Sequence, residues 1–223
     1  MHKQWILMAV LGTGIGASSM AGSAWAQEGE GTLPRSRADI DDIQSLQRGA
    51  RNFMNYCSGC HSLKYLRYNR MAKDLEITPS ELEANLMFTS NMPFDTINSS
   101  MPADAEGWFG KQPPDLSLIA RARSVDYIEA YLKGFYVDKT RPWGVNNKVL
   151  PGTSMPFVLA DLQGRLTPEE YDRFVRDTAN FLDYAGEPVK AKRQSLGIFV
   201  TLFLLVFFGF AYMLKKEYWK DVH

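Results

Sequence analysis

The longest uninterrupted apolar stretch is LGIFVTLFLLVFFGFAYML, residues 196–214, which carries no charge over 19 positions. As a helix it is about 28 Å long, close to the hydrocarbon thickness of a bilayer. A core helix of that length would keep a polar face, and this run has none. It predicts a transmembrane helix, with Tyr212, Tyr218 and Trp219 suited to the membrane interface. A second apolar run starts at Trp5, after the basic Lys3, and closes in small residues at Ala24-Trp25-Ala26. That is the pattern of an export signal, residues 1–26, cleaved before Gln27. The alternative, an uncleaved anchor helix, fits poorly with the glycines and serines in the run. Either way the following segment is exported. The chain divides into an exported domain (27–195), an anchor (196–214) and a tail on the opposite side (215–223).

Between the two runs the pattern is helical. Ile43, Leu46, Ala50 and Phe53 predict a helix from about Ile40 to Tyr56, with Asp39 and Asp41 at its positive end. Gly49 inside it costs about 1 kcal/mol against alanine. Close approach of a second helix would explain it; so would simple tolerance. Thr78 and Glu81 form a capping box around Pro79, opening a helix to about Phe88. Residues 89–114 form a long Pro/Gly/Asn/Ser loop, a length that is usually functional or mobile. DLSLIARA makes one or two helical turns. SVDYIEAYLKG is a helix capped by Ser124 and closed by Gly134, with Tyr127, Tyr131 and Leu132 inward. The clearest helix is TPEEYDRFVRDTANFLDYAGEP. Thr167, Pro168 and Glu170 start it, Tyr171, Phe174, Val175, Phe181 and Leu182 form its apolar face, and Gly186 and Pro188 end it. Residues 27–38 read as a loose leader and 135–156 as irregular. No segment reads as a strand and no repeat is visible. The fold class is mainly α.

The chain's two cysteines, Cys57 and Cys60, sit in NYCSGCHSLKY with His61 directly after them. A disulfide across so short a loop adds little stability. A thioredoxin-like dithiol needs a βαβ context, which is missing. Zinc needs a second ligand pair, but the other histidines are His2, in the expected export signal, and His223, the last residue. C-x-x-C-H is the attachment pattern of haem c. The two thiols add to the haem vinyl groups, and the adjacent imidazole becomes the fifth iron ligand. Attachment of haem c outside the bacterial cytoplasm agrees with the export signal.

His61 is the single histidine of the exported domain, so a second imidazole ligand is excluded there. The downstream methionines are Met71, Met87, Met92, Met101 and Met155, and the last three precede proline. Proline forces the preceding residue out of the helical region and stiffens the loop. Met155, in LPGTSMPF shortly before the strong C-terminal helix, is the best placed to be the sixth ligand. Met92, Met101 and an open site are the alternatives, and core packing is the ordinary use of any one methionine. A thioether raises the potential relative to a second imidazole, and a filled sixth position favours electron transfer over oxygen binding.

Formal net charge is zero, so nothing points to nucleic acid. Residues 27–195 carry 21 basic and 23 acidic side chains, a mildly acidic balance. The acids cluster at Asp39/Asp41/Asp42, Asp74/Glu76/Glu81/Glu83 and Asp95/Asp104/Glu106. They are either a solvated surface or a docking patch for a basic partner. Basic residues flank both ends of the apolar run, so export of the N-terminal side sets the orientation. The domain is expected in the periplasm, on a single-pass anchor in the bacterial inner membrane.

RGARNFMNYCSGCHSLKYLRYNR, PPDLSLIARAR and FLDYAGEPVKAKR running into the anchor closely resemble the cytochrome c1 family, over about residues 40–220. That family supplies the haem c subunit of quinol–cytochrome c reductase (bc1) complexes. The resemblance implies a class I cytochrome c core with large loop insertions. It implies a tight crossing of the N- and C-terminal helices, with Gly49 under Phe181 or Tyr184. It places the axial methionine at Met155, a propionate-pairing arginine at Arg123 and a haem-proximal tyrosine at Tyr127. Pro113 and Pro114 would line the haem pocket. The extra disulfide of many relatives cannot form here, because both cysteines would hold haem. The implied partners are a cytochrome b subunit, a Rieske iron–sulfur protein that donates one electron, and a soluble c-type cytochrome that accepts it. No side chain performs acid–base or nucleophilic chemistry. Two other readings share part of the pattern: another membrane-tethered monohaem cytochrome, and a haem enzyme or gas sensor with a labile sixth site.

Overall fold

A computed structural model of the protein describes residues 33–221. The expected export signal, residues 1–26, lies outside the described residues. The elements in chain order are α1 (Ile43–Tyr56), β1 (Leu63–Arg67), α2 (Tyr68–Asp74), α3 (Pro79–Asn85), β2 (Thr96–Ile97), α4 (Glu106–Phe109) and α5 (Ile119–Arg123). There follow α6 (Val125–Lys133), β3 (Phe135–Val137), β4 (Val145–Asn147), α7 (Ala160–Arg165), α8 (Pro168–Gly186) and α9 (Lys190–Tyr218).

The centre of the domain is the crossing of α1 over α8, and Gly49 is the reason it can be close. A Cβ at Gly49 would lie 2.1 Å from the Asp177 carbonyl oxygen and 2.6 Å from the Phe181 Cβ. The expectation of a small residue under Phe181 holds. Phe53 and Phe181 pack with ring centroids 5.8 Å apart, and both are fully buried. Polar groups fix the register of the crossing. The buried Asp177 accepts from Ser45 Oγ at 2.7 Å and from Arg48 Nε at 2.6 Å. Asn52 Nδ2 donates to Thr178 Oγ1 at 3.2 Å. A carboxylate buried this deeply needs such partners, because an unpaired charge there would cost several kcal/mol.

Helix ends follow their capping residues. The boxes at Thr78–Glu81 and Thr167–Glu170 are both formed, each with proline in the first turn. The first helix begins at Ile43, not Ile40, because Asp42 is the residue whose side chain accepts the free Ser45 N–H. The helix opened by Thr78 ends at Asn85, short of Phe88. Ser124 does cap α6, accepting from Tyr127 N, at φ 83°.

Two expectations are corrected. Strands are present: β1 pairs antiparallel with β2, and β3 with β4. They are two to five residues long, too short for alternation to mark them in sequence. The leader is not loose where it is described, since Ser36 donates its N–H to Asp126 at 2.7 Å and its hydroxyl to Glu129. Tyr131 does point inward, half-buried and packed against the core.

The apolar run 196–214 forms the middle of α9, a continuous helix of 29 residues with no buried residue. Among the described residues it is the one helix long and apolar enough to cross a membrane, with mean hydropathy 2.4 over its apolar 18-residue centre.

Candidate functional site: a cysteine–histidine turn and a methionine loop

The last turn of α1 delivers both cysteines. Cys57 N and Ser58 N both donate to Phe53 O, at 2.8 and 2.9 Å, which ends the helix. Cys60 N and His61 N then donate to Cys57 O, at 3.1 and 2.8 Å, folding CSGCH into a tight turn. Ser58 Oγ donates back to Met54 O at 2.7 Å. The two cysteines are not joined in a disulfide, and both are half-buried. Burial pushes the Cys57 thiol up to about 12 and raises Cys60 as well.

His61 is oriented from 53 residues away. Its Nδ1 lies 2.7 Å from the Pro114 carbonyl oxygen. A carbonyl only accepts, so Nδ1 carries the proton and Nε2 keeps its lone pair. Burial lowers the His61 pKa, against opposing pulls from the Pro114 bond and the Asp115 charge. A neutral ring with a fixed tautomer is what metal ligation by Nε2 requires.

PPDLS is stapled to the strand after His61. Leu116 N donates to Ser62 O at 2.9 Å, Lys64 N to Asp115 Oδ2 at 3.0 Å and Tyr65 N to Ser117 Oγ at 3.2 Å. Asp115 Oδ1 also accepts from Ser117 N at 2.9 Å, an Asx turn. Asp115 and Ser117 therefore set where the Pro114 carbonyl sits, and sequence reasoning passed over both. The Asp-x-Ser spacing was the available signal. Pro113, by contrast, lines a polar cleft with Ser62, Asn98, Ser99, Met101 and Gln112. Asp115→Ala should lower stability by about 1 kcal/mol and loosen the His61 ring. Denaturant midpoints and the electron paramagnetic resonance (EPR) g-values of the ferric protein would read the two effects. Unchanged g-values would mean the Pro114 carbonyl holds its place without the staple.

Met155 is half-buried in a loop fixed at several points. Thr153, two residues before it, is buried and hydrogen-bonds Tyr131 at 2.7 Å. Gly152 O accepts from Arg141 Nη2, and Gly152 N donates to Asn146 Oδ1, both at 2.8 Å. Phe157, two residues after it, stacks on Phe135 at 4.8 Å. Of the other methionines, Met71 is fully buried in the core and Met92 is 59% exposed, while Met101 is half-buried and lines the cleft at Pro113.

Arg123 lies with its guanidinium carbon 5.4 Å from the Tyr127 ring centroid, and Tyr127 stacks on Tyr131 at 6.1 Å. Tyr127 and the methionine loop thus meet through Tyr131. Arg121, the other arginine of the RAR stretch, turns away to pair with Glu187. Part of the acidic clusters is taken up by local structure. Asp42 and Glu81 cap helices, and Asp74 accepts from Arg70 and Tyr184.

A mainly helical domain with this turn and an apolar C-terminal helix is of the c-type cytochrome class. The chain belongs to the cytochrome c1 family, whose model it matches over residues 37–222. It is 48% identical to a cytochrome c1 of Allochromatium vinosum, over 86% of this chain and 90% of that one. It is 42% identical to an ammonia monooxygenase gamma subunit of Nitrosomonas europaea, over 86% and 89%. A mitochondrial cytochrome c1 heme protein of Neurospora crassa is 32% identical over 49% of this chain. Family membership brings covalent haem c and the role of electron-transfer subunit in the bc1 complex, an oxidoreductase. It also implies partnership with cytochrome b and a Rieske protein.

Proposed function

We propose that this chain takes one electron from a Rieske iron–sulfur protein and passes it to a soluble c-type cytochrome, from a periplasmic domain on a single-pass anchor. The observation that carries the site is the His61 Nδ1–Pro114 bond of 2.7 Å inside a C-x-x-C-H turn, which leaves Nε2 for iron. The residues fit haem c. Cys57 and Cys60 sit on one turn, not joined in a disulfide, and would form the two thioethers. His61 and Met155 would be the axial ligands, an imidazole and a thioether. When bound, haem c supplies a one-electron couple whose potential its axial ligands and surroundings set.

The chain's own contributions are positional. The Phe53 and Cys57 carbonyls hold the attachment turn, Pro114 fixes the imidazole, and the Tyr131–Thr153 bond and the Arg141 and Asn146 contacts hold the methionine loop. Arg123, held over Tyr127, would pair with a propionate, and the two aromatic rings would help keep water out. No group here needs to move a proton. Export by residues 1–26 would place the domain in the periplasm and residues 215–223 in the cytoplasm.

Arg123→Ala should leave covalent attachment intact and lower the potential, because a nearby cation favours the reduced form. Redox titration reads this, and an unaltered potential removes Arg123 from the propionate. The relay itself is tested by the order of reduction. Added quinol should reduce the haem c of this chain in wild-type membranes but not in membranes lacking the Rieske protein. Equal reduction in both would remove the proposed donor.

A further inference from the structure

The link between the domain and α9 is only three residues, Glu187-Pro188-Val189, and Glu187 is extended, at φ −156° and ψ 81°. Proline forces the residue before it out of the helix, which is why α8 stops there. A link of this kind between a globular domain and a single helix would by itself be a swivel. The side chains around it remove that freedom. One Glu187 carboxylate oxygen pairs with Arg121 of α5. The same carboxylate is gripped by Arg193 of α9, with Nε–Oε1 at 2.5 Å and Nη2–Oε2 at 3.1 Å. A second tie joins Lys190 Nζ of α9 to Asp183 Oδ2 of α8 at 2.6 Å. Both bridging carboxylates are only 14% exposed. The paired hydrogen bonds from Arg193 fix direction as well as distance.

The elbow also rests on the segment that orients His61. A Cβ at Gly186 would meet Arg121 Cγ and Ser117 O, both at 3.4 Å, so α8 presses closely against PPDLSLIAR. Arg121 and Ser117 belong to the stretch that carries the Pro114 carbonyl.

We propose that Glu187, with Arg121, Arg193, Lys190 and Asp183, is a brace that sets the tilt of the haem domain relative to its membrane anchor. These are positioning residues: they touch neither the ligands nor the attachment turn. Their role is to hold one face of the domain toward its partners, a task a free swivel cannot perform. The inference rests on the haem reading, because the haem plane is the marker of tilt.

The test is EPR of the ferric haem c in native membranes dried as oriented multilayers, where angular dependence reports tilt and spread. Wild type should show one narrow orientation. The K190Q/R193Q double variant cuts both anchor-side ties and leaves the domain's own packing alone. It should at least double the angular spread with no change in potential. E187Q should do the same. K192Q removes a neighbouring charge outside the brace and should match wild type. A spread in K190Q/R193Q equal to wild type overturns the brace. So does a K192Q spread as wide as the double variant's, since lost charge alone would then be the cause. Absence of any haem c signal from wild type would instead overturn the haem reading.

Discussion

Met155→Ala should remove the red sulfur-to-iron charge-transfer band of the ferric protein and lower the midpoint potential on the order of 0.2 V, a quarter of the ~0.8 V range that axial ligands span. A thioether stabilises ferrous iron, and water or a nitrogen base in its place stabilises ferric iron. Met101, in the cleft at Pro113, is the rival that stays open, but position favours Met155 over Met71 and Met92. Its loop is tied down on both sides, at Thr153 and at Phe157. Met71 is locked in the core among apolar side chains, so Met71→Ala should lower stability by about 2–5 kcal/mol and leave the band in place. Met92 projects into solvent. Absorption spectra and redox titration of both variants read the difference. A band that survives Met155→Ala would mean another residue holds the sixth position.

The second large effect is expected at Gly49→Leu. A Cβ alone would sit 2.1 Å from a backbone oxygen of α8, a contact no rotamer relieves. The helices must separate, which pulls Phe53 from Phe181 and breaks the Asp177 contacts to Ser45 and Arg48. Overpacking costs about 1–3 kcal/mol where the neighbours can adjust. Here the obstacle is backbone, so the loss should be at or above the top of that range. The gain of about 1 kcal/mol in helix propensity does not offset it. Denaturation of the full chain in detergent would show the loss. A midpoint within error of wild type would mean that the crossing tolerates separation and that Gly49 is incidental.

Much of this architecture is legible in the sequence because it is local. Thr78 and Thr167 announce their helices through residues three positions on, and both boxes form. The anchor is legible because a bilayer tolerates no charge over its width, and C-x-x-C-H because attachment needs that spacing. What escaped is non-local. The His61–Pro114 bond joins an imidazole to a backbone carbonyl, and a carbonyl leaves no mark in a sequence. The pairing of Leu63 with Ile97 is set by tertiary packing, not by alternation within either segment. The Glu187 brace reads in sequence as ordinary surface charge, since only the fold brings Arg121 to it. The acidic clusters read in sequence as either solvated surface or a docking patch, and the fold gives three of those acids, Asp42, Glu81 and Asp74, local roles in capping and pairing.

The most direct measurement is to extract the protein gently in detergent, purify it through a tag on its C-terminal tail, and record optical and EPR spectra of what comes with it. The proposed relay predicts haem c together with b-type haem and a Rieske iron–sulfur signal. Haem c alone, or in company with the components of a different oxidoreductase, would contradict it.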